Sequence, residues 1–143
     1  MTDIATTDEV AWLVRRFYRV AIPDPVLGPI FDAAHMEWDV HIPRITAFWE
    51  RQLLDLPGYH GNMVRVHVET HDRTPLGDRE FARWLELWDE AVDERYEGPV
   101  AEHAKARARE RWIVGLPAAL VALAGLAWLV GWPRRRRGVI RAE

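Results

Sequence analysis

The chain has 143 residues, enough for one compact domain, and 49% of them are apolar. Its 19 basic and 22 acidic residues leave a net charge of -3, which argues against a nucleic-acid partner, while the apolar content argues against disorder. There are no cysteines, which excludes disulfides, thiolate metal sites, iron–sulfur clusters and cysteine nucleophiles, so any metal or redox chemistry must lean on imidazole.

The opening MTDIATTDEV has neither a basic start nor an apolar core, and does not read as a signal peptide. Thr6-x-x-Glu9 forms a capping box, and Val10, Leu13, Val14, Phe17 and Ala21 follow at helical spacing. Pro23 and Pro25 stop that helix. Residues 26–34, with Gly28-Pro29, predict one helical turn or two. A long helix is expected over 36–54, with Trp38, Ile42, Ile45, Trp49 and Leu53 along one side. Pro43 falls near its first turns, a point where a helix can break, and Pro57-Gly58 ends it. A short helix over 63–70 and a loop over 72–77 come next. Residues 78–96 predict another strong helix, its inner face formed by Phe81, Leu85, Trp88 and Val92. Gly98-Pro99 breaks the chain before a last helix, whose Val100, Ala104 and Ala108 make only a thin apolar stripe. The chain shows almost no strand signal and no repeat, and the fold class is all-α.

The charge is unevenly spread. Residues 112–133 carry no charge, and the ten residues after them hold five arginines and one glutamate, a local +4. Residues 1–111 therefore carry -7 of the chain's net -3. At about 1.5 Å per residue, the uncharged segment as a helix reaches the ~30 Å of a bilayer core. Trp112, Trp128 and Trp132 lie near its ends, where indoles favour the interface. A buried C-terminal helix is the alternative, although such a helix rarely lacks a polar face. The expected organisation is a cytoplasmic domain over 1–111, a transmembrane anchor over 112–133 and a basic tail over 134–143.

Several side chains have two readings. His41 lies on the apolar side of its helix, three, four and eight residues from Trp38, Ile45 and Trp49, as a core histidine or a pocket histidine would. Tyr18 and Trp84 can likewise be ordinary packing, with the phenol paired. His67 and His71 stand at the i, i+4 spacing of a helical metal site. A zinc protease needs a glutamate directly after the first histidine, and here it is Glu69, about 200° round the helix from His67. His67 facing an apolar cavity suits a flat cofactor better than a bare ion.

The ordered series Phe17-Tyr18, the segment from Asp24-Pro25 to Leu27-Gly28-Pro29-Ile30-Phe31, Trp38-x-x-His41-x-Pro43, Phe48-Trp49, Tyr59-His60-Gly61-Asn62, His67 and Trp84 resembles the group III truncated haemoglobins. The match covers most of residues 7–97. Two departures are visible: Met63 stands where members commonly have a proline, and the connection from His67 to Trp84 is longer, with His71 and Pro75 inside it.

The resemblance implies a truncated globin-like fold, two helices crossing two others, around haem b. It makes His67 the proximal ligand of the iron, with His71 as a rival, and puts Tyr18, His41 and Trp84 on the distal side. Phe17, Phe31, Ile45, Trp49 and Trp88 would line or back the apolar slot. A pentacoordinate iron would leave one position for dioxygen or another diatomic gas. The same distal donors suit a haem enzyme, a nitric-oxide dioxygenase or a peroxidase, which would need a reductase partner because the chain has no flavin or nicotinamide domain. A haem-free, membrane-tethered helical interaction module is the reading from a different class.

Overall fold

Apolar residues recurring at helical spacing, punctuated by proline and glycine, give five helices in the described part of the chain. A computed structural model describes residues 1–58 and 77–110. The helices are α1 (Thr7–Ala21), α2 (Gly28–Ala33), α3 (Trp38–Leu54), α4 (Asp78–Asp93) and α5 (Pro99–Ala108). No strand occurs among the described residues; Thr2 and Tyr96 form one isolated parallel bridge.

Helix α1 starts as its capping box requires. The Thr6 hydroxyl accepts from the Glu9 amide at 3.3 Å, and the Glu9 carboxylate accepts from the Thr6 amide at 3.0 Å. All five apolar residues expected on its inner face, Val10, Leu13, Val14, Phe17 and Ala21, are buried. The α1–α2 corner is tight. A Cβ on Gly28 would stand 2.8 Å from the Ile22 carbonyl oxygen, so the close backbone approach needs glycine here.

Helix α3 begins two residues later than expected, because the preceding residues are used to close α2. His35 is left-handed, at φ 49, and its amide donates to Asp32 while that of Met36 donates to Phe31. This is the hydrogen-bond pattern of a Schellman close, which leaves Trp38 as the first residue of α3. The helix runs unbroken past Pro43. The missing amide there forfeits only the bond to Asp39, which is exposed and within reach of water. Helix α4 ends at Asp93 rather than 96, and a turn bonded to Val92 carries the chain on to Tyr96.

Helix α1 packs against α3 and α4, and α5 packs against α4 and α3, so one helix pair lies over another. The core between them holds Phe17, Phe48, Trp49, Leu87, Trp88, Val92 and Ala104. The N-terminal segment clasps the far end. Asp3 accepts from the amides of Val100 and Ala101 at 2.9 and 2.8 Å, capping α5 from 97 residues away. Among the described residues no helix is long and apolar enough to cross a membrane. The segment expected to do so, 112–133, lies outside the described residues, as does the helix expected over 63–70.

Candidate functional site

Phe17 and Tyr18 stand on the buried side of α1, and the first turns of α3 bring His41 against Tyr18. The Tyr18 hydroxyl lies 2.7 Å from Nε2 of His41, with the two rings edge-on at 5.3 Å. Phe31 of α2 and Trp38 of α3 complete the cluster: Tyr18 is 6.0 Å from Phe31 and 5.5 Å from Trp38, ring centre to ring centre. Trp38 also packs edge-on against His41 at 5.8 Å. Trp38 lies on the apolar stripe of α3 and belongs to the site beyond the residues expected there. Its signal was the three-residue spacing to His41, which puts both rings on one face.

Burial pushes the Tyr18 phenol well above its usual pKa, so it keeps its proton at every physiological pH. The Tyr18–His41 bond can be carried by either hydrogen. If the phenol donates to Nε2, its hydrogen is spent. If Nε2 carries the hydrogen and donates, the phenol proton is left for a third group.

On the other side of Phe17 stands Trp84. Phe17 lies 5.0 Å from both the Tyr18 ring and the Trp84 ring, and so links α1 to α4 at the site. Trp84 is half-buried, and its indole N–H has no hydrogen-bond partner among the described residues. It forms the more exposed end of a stack: Trp84 on Trp88 at 5.4 Å and 15°, then Trp88 on Trp49 at 4.3 Å and 21°. Trp49 and Trp88 are fully buried and back the site from the core. Half-buried Ile42, Ile45, Phe81 and Leu85 pack on the same core.

The structure thus brings together Tyr18, His41, Phe31 and Trp38 in one cluster, and joins Trp84 to it through Phe17. His67, His60 and His71 lie outside the described residues. The donor set is an apolar, aromatic wall with three polar tips, a phenol O–H, an imidazole and an indole N–H. Such a wall fits a flat apolar macrocycle with a small, partly negative ligand. Among the described residues it holds no carboxylate pair.

Asp24, which opens the Asp24-Pro25 segment, stands at the α1–α2 corner. It is buried, accepts from the amides of Val26 and Leu27 at 2.9 and 3.1 Å, and pairs with Arg83 Nε at 2.9 Å. Burial alone would raise its pKa, but the two amides and the guanidinium outweigh that and hold the carboxyl below its usual value.

No family model matches the chain. The group 3 truncated haemoglobin ctb of Campylobacter jejuni is 32% identical over 90 residues, which span 60% of this chain and 68% of that protein. The crystal structure of a group III truncated haemoglobin from Campylobacter jejuni superposes with a TM-score of 0.67 at 26% identity, covering 78% of this chain and 90% of that one. With the order of its helices and its aromatic wall, the chain belongs to the group III truncated haemoglobin family.

Proposed function

We propose that the chain binds haem b and reversibly takes up dioxygen or another diatomic gas. The observation that carries this reading is the Tyr18–His41 pair set in an aromatic wall, with Trp84 joined to it through Phe17. Haem would supply an iron that takes up a diatomic gas, and His67 would hold that iron. The chain's own residues do the rest. Phe31, Ile45, Trp49 and Trp88 provide or back an apolar surface that excludes water from the slot. Tyr18 and Trp84 donate hydrogen bonds to a ligand that gains negative charge on binding, each contributing about 1 kcal/mol. His41 sets which way the Tyr18 proton points and, half-buried at the start of α3, can also gate entry.

The same donors would assist a haem enzyme of the nitric-oxide dioxygenase or peroxidase type, with electrons from a separate reductase. Oxygen dissociation rates, measured beside turnover with nitric oxide and a reductase, decide between them. Slow, simple dissociation without turnover supports reversible binding, whereas sustained nitrate production supports the enzyme.

We further propose that residues 1–111 are the globin domain, on the cytoplasmic side, and that residues 112–133 anchor it to a membrane, with 134–143 as a basic tail. The uncharged run and its flanking tryptophans and arginines support this.

A further inference from the structure

We propose that the Asp24–Arg83 ion pair is a positioning device that sets the Trp84 indole against the Tyr18 side of the site. The inference rests on the reading of Trp84 and Tyr18 as ligand donors and adds two residues to it. Asp24 is the one buried charged residue among those described, its side chain 4% exposed. Both its oxygens are committed, Oδ1 to the amides of Val26 and Leu27 and Oδ2 to Arg83. A buried ion pair is a weak source of stability, because desolvation offsets much of the attraction. It is, however, directional, and apolar packing is not.

The direction matters because of what each partner is joined to. Asp24 fixes the corner that carries Leu27 and Phe31, and Phe31 packs on Tyr18 and Trp38. Arg83 directly precedes Trp84, and neighbouring residues on a helix point about 100° apart. Holding the Arg83 guanidinium to the corner therefore fixes the roll of α4 at Trp84. The second ion-pair partner of Arg83, Glu86 at 2.7 Å, lies on α4 itself and cannot set that roll. Phe17, between Tyr18 and Trp84, supplies contact on the same side but no direction.

The test uses the full chain loaded with haem and carbon monoxide, and also the haem-free chain. Asp24→Asn keeps an oxygen for the two amides and removes the pair, and Arg83→Leu removes it from the other side. Each should move the C–O stretching frequency in the same direction as Trp84→Phe and speed oxygen dissociation at least threefold. In a Trp84→Phe background neither should change further. Glu86→Gln should leave both readouts as in the parent, and Arg83→Lys should shift both less than Arg83→Leu does.

A lower melting temperature with an unchanged stretch would overturn the proposal, as would equal shifts with and without Trp84. If Asp24→Asn does not fold, the Arg83→Lys and Arg83→Leu pair carries the same comparison. If Trp84→Phe itself moves no stretch, the donor reading falls. The near-UV dichroism of the haem-free chain then decides the positioning claim, with the Trp84 contribution taken as parent minus Trp84→Phe: a contribution lost in Asp24→Asn supports it, and one retained overturns it.

Discussion

The Tyr18 hydroxyl and Nε2 of His41 stand 2.7 Å apart and share one hydrogen between two elements, the last turn and a half of α1 and the first turn of α3. Because burial keeps the phenol protonated, the hydrogen that Tyr18 can offer a ligand depends on the imidazole rather than on the tyrosine's own titration.

Removing either donor should therefore be visible in ligand kinetics. Tyr18→Phe and Trp84→Phe are each expected to accelerate oxygen dissociation about fivefold, the equivalent of one hydrogen bond of about 1 kcal/mol. Flash photolysis or stopped-flow mixing measures it. Unchanged rates in both variants would contradict the donor assignment.

Asp24 makes a prediction about acid. Its folded pKa lies below the ordinary aspartate value of about 3.9, so its contribution to stability is complete above that pH. The contribution is lost as pH falls through the folded value. Asp24→Asn should cost about 2 kcal/mol near pH 6, and the gap to the parent should narrow progressively as pH falls below about 4. Urea unfolding at a series of pH values measures this. A gap that stays constant down to pH 3 would contradict it.

Trp88 holds three helices together. It stacks on Trp49 of α3, lies against Trp84 of its own helix, and donates from Nε1 to the Ala104 carbonyl of α5 at 3.3 Å. Trp88→Ala should cost about 3–5 kcal/mol, a large part of a domain's total stability. A loss below about 1 kcal/mol in denaturant unfolding would show that the stack is not central to the core.

Much of this was readable from residue order. The inner face of α1, its capping box and the starts of α4 and α5 follow from spacing and from proline and glycine. The start of α3 was not, because the Schellman close at His35 depends on a left-handed residue that is not glycine. Spacing alone left Tyr18, His41 and Trp84 open between packing and chemistry. Their shared site needs α1, α3 and α4 to meet, which no local pattern contains. Asp24 and Arg83 were illegible for the same reason, since 59 residues separate a turn-forming aspartate from its partner.

The C-terminal segment calls for a fractionation experiment. Full-length protein should sediment with membranes and stay there in high salt, and a chain ending at Arg111 should not. Full-length protein that remains in the supernatant would contradict the anchor.

The most direct measurement is a haemin titration followed by absorption, on the parent and on His67→Ala. The account predicts a Soret band that saturates at one haem per chain in the parent, with ferrous and carbonyl spectra of a histidine-ligated iron, and weak or absent stoichiometric binding in the variant. Folded parent protein that develops no Soret band, or a variant that binds haem as the parent does, would contradict it.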